Sequence, residues 1–289
     1  NENELKSSVD LDSIDLVLRE LLTIEEMREA GSFFTGQQLA SRLVSAFQIP
    51  ITFNSVILDP SCGAGNLLIE ISRNLGVEAT LSETLKKWGN VLHGFDIYSH
   101  FIEATKLRLV IEALSRGVKQ NCSLDEAFDF LPNILMKNAL TVEQKELKNV
   151  THIVMNPPFT IWPSPKENYW KEGKVNAAGI FFDQYLRLLP KGCNVCAILP
   201  DVLRSGSRYT GFRDFISSTF KGTVSIWGRF SNKTDVDVFL LYGLVANNIE
   251  ELEWYKNSKQ EETISHFFDV RIGPLVAYRD PEKGTEYPY

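Results

Sequence analysis

Short runs of consecutive apolar residues alternate along the chain with longer stretches in which apolar positions recur every three or four residues. Residues 55–59, 91–96, 134–137, 151–155, 194–199, 223–227 and 236–245 are apolar runs bounded by turn formers, and they read as seven strands. Residues 66–75, 99–116, 177–189 and 209–220 carry the helical period between them. Strand and helix in repeated alternation predict a doubly wound, mostly parallel sheet covered on both faces. Ligands of such a sheet sit at the carboxyl ends of its strands. Ahead of it, Ile14, Leu18, Leu21, Leu22 and Ile24 place an amphipathic helix over residues 12–29. Thr35-x-x-Gln38 has the form of a capping box opening a further helix through Phe47. The expected organisation is a helical extension over 1–30, one catalytic-sized domain over 31–248 and a C-terminal extension over 249–289.

Composition narrows the class. With 44% hydrophobic and 23% charged residues in 289, the chain is long enough for one large α/β domain. It has no apolar run near the ~18 residues a membrane span needs. The acidic, polar first fifteen residues lack the layout of a signal peptide, so a cytoplasmic address is expected. Four cysteines do not make a disulfide framework. Cys193 and Cys196 have the spacing of a redox or metal pair, but they lie in a strand pattern, where residues three apart face opposite ways. No metal is expected. The net charge of -7 is unevenly spread. Residues 1–30 hold nine acidic and three basic side chains, residues 159–235 eleven basic and six acidic, and the stretch after Val245 nine acidic and five basic. An anionic partner would meet the middle of the chain.

Three motifs sit where strands end. Asp59-Pro-Ser61-Cys62-Gly63-Ala-Gly65 turns the first strand into a helix. Its glycines let backbone approach a ligand, and its acid can accept bonds from a cationic or hydroxylated group. It lacks the Gly-Lys-Ser/Thr ending of a phosphate-binding P-loop. Asp96 ends the second strand, where an acid is placed for ribose hydroxyls or for capping the next helix. Asn156-Pro157-Pro158-Phe159 ends the fourth. Two prolines remove two backbone donors and fix the turn, which presents the Asn156 amide and the Pro157 carbonyl together. Both can accept from an exocyclic amine. Such an amine is planar and poorly nucleophilic, and two acceptors on its hydrogens favour the tetrahedral form that exposes the lone pair. Phe159 offers a face for a ring to stack on.

Together these residues resemble the amino-group DNA adenine methyltransferases whose cofactor motif precedes the catalytic motif, a group that includes the modification subunits of restriction systems. The resemblance covers about residues 31–246. It implies a Rossmann-like class I S-adenosylmethionine-dependent fold and methyl transfer from S-adenosyl-L-methionine to the N6 amine of a flipped-out adenine in double-stranded DNA. It further implies Asn156, Pro157, Pro158 and Phe159 as catalytic residues. Phe33, Thr35, Asp59, Ser61, Cys62, Gly63, Gly65, Asp96, Ile97, Asn138 and Ala139 would line the cofactor site, and Gly31-Ser-Phe33-Phe-Thr35 is similar to the segment these enzymes carry upstream. Phe230 would join Phe159 against the flipped base. The sulfonium is already activated, so neither metal nor covalent intermediate is required. Two positions depart from the family: Asn138 stands where Asp is usual, and Gly36 where Pro is usual. The first is expected to weaken cofactor binding without abolishing activity, the second to matter little.

Residues 160–178 interleave Trp162, Tyr169 and Trp170 with Lys166, Lys171 and Lys174. The stretch is long for a loop and reads either as a lid touching phosphates or as solvated lysines over core aromatics. Arg204, Arg208 and Arg213 extend the candidate DNA surface. The family usually places a target-recognition domain after the catalytic one. Fewer than fifty residues follow Val245, so that domain is expected either outside this fragment or on a specificity or restriction subunit. The alternatives are methylation of a protein glutamine or a ribosomal RNA base, or an inactive cofactor-binding scaffold.

Overall fold

The structure, a computed structural model, describes residues 9–12, 35–170, 172–231, 234–247 and 252–255. The helix expected over 12–29 (apart from its first residue), Phe33, Lys171 and nearly all of the C-terminal extension lie outside the described residues. Seven strands form one sheet: β1 (Ile57–Asp59), β2 (Leu92–Asp96), β3 (Ile134–Met136), β4 (His152–Met155), β7 (Asn194–Pro200), β8 (Phe220–Ser231) and β9 (Thr234–Val245). Their order is β3-β2-β1-β4-β7-β9-β8. The first five are mutually parallel. β9 runs antiparallel to β7, and β8 antiparallel to β9. This is the expected doubly wound, Rossmann-like α/β architecture.

Alternation along each strand sends neighbouring residues to opposite layers. Ile57, Leu92, Val154, Cys196, Ile198, Val238 and Leu240 enter one core, with α1 (Gln37–Val44), α2 (Asn66–Ser72), α3 (Leu81–Val91) and α4 (Ser99–Ser115) packed on it. Leu58, Phe95, Ile153, Met155, Val195, Ala197 and Phe239 enter the other. That side is covered by α7 (Ala177–Leu188) and α9 (Thr210–Thr219), with the short α6 (Gln144–Leu147) and α8 (Val202–Ser205) at the edges, whereas the short α5 (Leu124–Asp129) sends Ala127 into the first core. Cys193 and Cys196 are buried and unbridged, as a strand pattern requires.

The chain leaves β1 towards β2 and β3 on one side, whereas β4 lies on the other side of β1 and leads to β7. Such a reversal opens a crevice at the carboxyl ends of β1 and β4.

Three local expectations are corrected. Residues 81–91 form a helix that buries Leu81, Leu85 and Trp88, and the second strand begins only at Leu92. Residues 161–176 hold an antiparallel pair, β5 (Ile161–Pro163) and β6 (Lys174–Asn176), in place of an irregular loop. Thr35 does not cap α1. Gly36 is the N-cap residue and makes no side-chain cap. The Gln37 N–H donates instead to Asp12 Oδ1 at 3.1 Å. A Cβ at Gly36 would lie 2.6 Å from that oxygen, so the glycine makes room for the carboxylate.

Candidate active site

The crevice holds a cavity of about 200 Å³ lined from four strand ends. The β1 end gives Asp59, Pro60, Ser61, Cys62 and Gly63; β2 gives Asp96, Ile97 and Tyr98; β3 gives Lys137, Asn138, Ala139 and Leu140; β4 gives Asn156 and Pro158. Thr35, Asn66, Leu67, Phe101, Trp162 and Phe181 complete it. Of the residues expected at a cofactor site, Thr35, Asp59, Ser61, Cys62, Gly63, Asp96, Ile97, Asn138 and Ala139 therefore meet at one place. Gly65 stays behind the wall. Its φ of 84° lets the chain enter α2 with Thr105 packed where a Cβ would project.

Asp59 is buried, and its carboxylate accepts from the Ser61 N–H at 3.1 Å. Burial pushes its carboxyl up to about 8; the Ser61 bond opposes the rise and the charge of Asp96 reinforces it. Asp96 is also raised by burial, against bonds from the Tyr98 N–H at 3.0 Å and the Gly63 N–H at 3.1 Å. Two acids that resist ionisation beside an opening suit a cationic or hydroxylated guest. Burial, then the charges of Asp59 and Asp96, raises the Cys62 thiol well above its usual range, so it stays protonated.

The opposite wall is shaped from α7. Tyr185 donates to the Ala139 carbonyl at 3.0 Å, and Gln184 to that of Leu140 at 2.9 Å. Asn138 Oδ1 accepts from the Leu140 N–H at 3.0 Å and so helps to hold this turn.

Asn156 leaves β4 with its amide nitrogen donating to Thr35 Oγ1 at 3.0 Å, while Ser61 Oγ reaches its main-chain carbonyl at 3.4 Å. The first bond identifies Oδ1 as the acceptor end of the amide. Pro157 is buried, and Pro158 lines the cavity. Phe159 does not line it. The ring of Phe159 meets that of Phe230 edge-to-face, with centroids 5.7 Å apart and planes at 83°. Phe230 is 8% exposed and belongs to the core. The two rings touch, leaving no slot between them, and Phe230 buttresses Phe159.

The turn is pinned downstream by Asn176, which sequence reasoning missed. Its Nδ2 donates to the Phe159 carbonyl at 3.1 Å while its Oδ1 caps α7 through the Ala178 N–H at 3.0 Å. An Asn immediately before a helical period was the available signal.

Of the aromatics between 160 and 178, only Trp162 lines the cavity, its ring 5.9 Å from that of Phe181. Tyr169 hydrogen-bonds Asp183, which also holds Arg187 through bonds of 2.9 and 3.0 Å. Trp170 packs against Phe212, with ring centroids 5.9 Å apart and planes tilted by 39°. These two rings staple the β5–β6 hairpin to α7 and α9 and do not cover the cavity. Among the basic candidates, Lys166 and Lys174 are exposed on that hairpin. Arg208 donates to the Glu172 carbonyl at 2.6 Å, at the base of the same hairpin. Arg204 pairs with Asp201 at 2.7 and 3.1 Å and donates to the Trp254 carbonyl at 3.0 Å. Buried Arg213 donates to the Leu203 and Gly206 carbonyls at 3.2 and 2.8 Å. Both of these guanidiniums serve the fold.

The model of the N-6 DNA methylase family matches residues 15–182. This chain belongs to that family. A comparison with curated proteins gives no significant match. Solved structures similar in fold include the type IIG restriction endonuclease BpuSI (19% identity over 74% of this chain and 25% of that one, TM-score 0.53). The M protein of the type I restriction enzyme EcoKI is 15% identical over 74% and 44%, with TM-score 0.51. The DrdV protein of a DrdV–DNA complex is 14% identical over 81% and 28%, with TM-score 0.58. The chain thus spans from a quarter to less than half the length of these proteins.

Proposed function

We propose that this family member transfers a methyl group from S-adenosylmethionine to the exocyclic N6 amine of an adenine turned out of duplex DNA. The observation that carries the reading is Asn156, held by Thr35 at the end of β4, facing the same cavity as Asp59 and Asp96.

The cavity's chemistry fits the cofactor. It offers two acids, glycine backbone at the turn, and the apolar side chains of Ile97, Ala139, Leu140 and Phe181. Asp59 would accept from a cationic group and Asp96 from ribose hydroxyls. When bound, S-adenosylmethionine supplies a methyl group on an already activated sulfonium.

Asn156 Oδ1 accepts one hydrogen of the adenine amine, and the Pro157 carbonyl the other. Both bonds strengthen as the nitrogen turns tetrahedral, so they favour the transition state over the planar ground state. The prolines supply no donor that would compete for those acceptors. Phe159 stacks on the base, with Phe230 behind it. A paired base is out of reach, so the base must be extruded. Lys166, Lys171, Lys174 and Arg208 are the proposed contacts to DNA phosphates. The relatives from restriction systems favour a further specificity or restriction subunit as partner.

The test supplies the full chain with methyl-labelled cofactor and unmethylated DNA, RNA and protein, then partitions the label. Label in DNA is the expected result. Label confined to RNA or protein would overturn the reading.

A further inference from the structure

We infer that Asn66 is a positioning residue for Asn156, and that the segment 9–12 is a working part of the same device. The inference rests on the reading of Asn156 as the amine's acceptor. Asn66 opens α2 and is 4% exposed. Its amide nitrogen donates both ways, to the Thr35 carbonyl at 2.7 Å and to the Leu11 carbonyl at 2.9 Å. Its amide oxygen takes Arg108 Nη1 at 2.6 Å, and the same nitrogen reaches the Ala64 carbonyl at 2.5 Å. Arg108 Nη2 extends to the Asp10 carbonyl at 3.4 Å. Leu11 is fully buried in the core, and Asp12 bonds the Gln37 N–H. Residues 10–12 are thereby fixed alongside Thr35–Gln37.

Thr35 is the link to chemistry. Its carbonyl is held by Asn66 and its hydroxyl holds the Asn156 amide at 3.0 Å. The connection runs Arg108–Asn66–Thr35–Asn156, from α4 to the end of β4. Two donors and one acceptor on one short planar group are what the junction uses, and a carboxylate of the same shape offers no donor. Without the Asn66 bond the Thr35 peptide can turn, and the Asn156 amide loses the contact that fixes its acceptor end. Misplacement of an acceptor that acts mainly in the transition state lowers kcat and leaves cofactor binding nearly intact.

Two variants test this. Asn66→Asp removes both donations, and Leu11→Ala loosens the segment 9–12 from outside the cavity. Each is expected to lower kcat, about tenfold or more for Asn66→Asp, and Leu11→Ala, which lies outside the cavity, should keep the cofactor KM within about threefold. In a Thr35→Val background Asn66→Asp should cost little more, because the link is already cut. The side-chain amide resonance of Asn156, identified by its loss in Asn156→Ala, should shift and exchange faster in both variants. An unchanged resonance in both, or full additivity with Thr35→Val, overturns the inference. A wild-type chain that transfers no methyl to any substrate instead counts against the proposed function, whereas the resonance reads the connection without turnover. Should Asn66→Asp fail to melt cooperatively, Leu11→Ala decides alone.

Discussion

Replacing Asp59 by Asn keeps the shape of the buried side chain and deletes its titration. In the free protein burial raises the Asp59 carboxyl to about 8, so at pH 7 about nine molecules in ten carry its proton. A cationic ligand that needs the carboxylate must expel that proton. Binding at pH 7 should therefore release about 0.9 proton from this group, falling to about 0.1 at pH 9. Apparent cofactor affinity should rise about elevenfold from pH 7 to well above pH 8, and about tenfold more from pH 6 to 7. For the fold alone the sign reverses. A carboxyl raised from 3.8 to about 8 contributes stability that is complete below about 4 and is lost as pH climbs to about 8. Calorimetric titration in two buffers of different ionisation heat reads the proton directly. Subtracting the same titration of Asp59→Asn cancels any proton from the cofactor itself. Equal proton release by wild type and variant at pH 7 would refute the assignment of Asp59 to a cationic centre.

Asn156→Ala should lower single-turnover methyl transfer by about a hundredfold or more and leave cofactor affinity within a few-fold; calorimetry showing lost cofactor binding would contradict the division of roles. Tyr169→Phe removes the bond to Asp183 and should cost about 1–2 kcal/mol, roughly 2–4 °C in Tm per kcal/mol, with little change in cofactor binding. Gly65→Ala would place a Cβ 2.7 Å from Thr105 Cγ2 at a φ of 84°. It should cost about 1–3 kcal/mol in denaturant unfolding and weaken cofactor binding as the Gly63 turn shifts.

The parallel strands and the motifs at their ends were legible because each apolar run stops at the residue that turns the chain. Asp59, Asp96 and Asn156 end, or directly follow, β1, β2 and β4, and adjacency in the sheet brings them together without further information. The helix over Leu81–Val91 was also visible in the spacing of Leu81, Leu85 and Trp88, but Val91 runs straight into the next strand and masked its end. The β5–β6 hairpin was not legible. Its strands are three residues long and one contains Pro163, which alternation cannot register. Thr35 matched a capping pattern whose atoms were claimed by Asn156 and Asn66, partners far away in sequence. Arg204 and Arg213 look like surface cations until their carbonyl and carboxylate partners are known. Local pattern fixes where the backbone turns, and only the tertiary fold decides which polar groups are consumed in holding it.

The central claim is that the Asn156 turn acts on adenine N6, and nucleoside mass spectrometry tests it most directly. Unmethylated duplex DNA is incubated with the full chain and cofactor carrying a trideuterated methyl group, then hydrolysed to nucleosides. The account predicts the heavy methyl on N6 of 2′-deoxyadenosine, and its absence with Asn156→Ala. A heavy methyl on cytosine instead, or one found only outside the DNA, would contradict it.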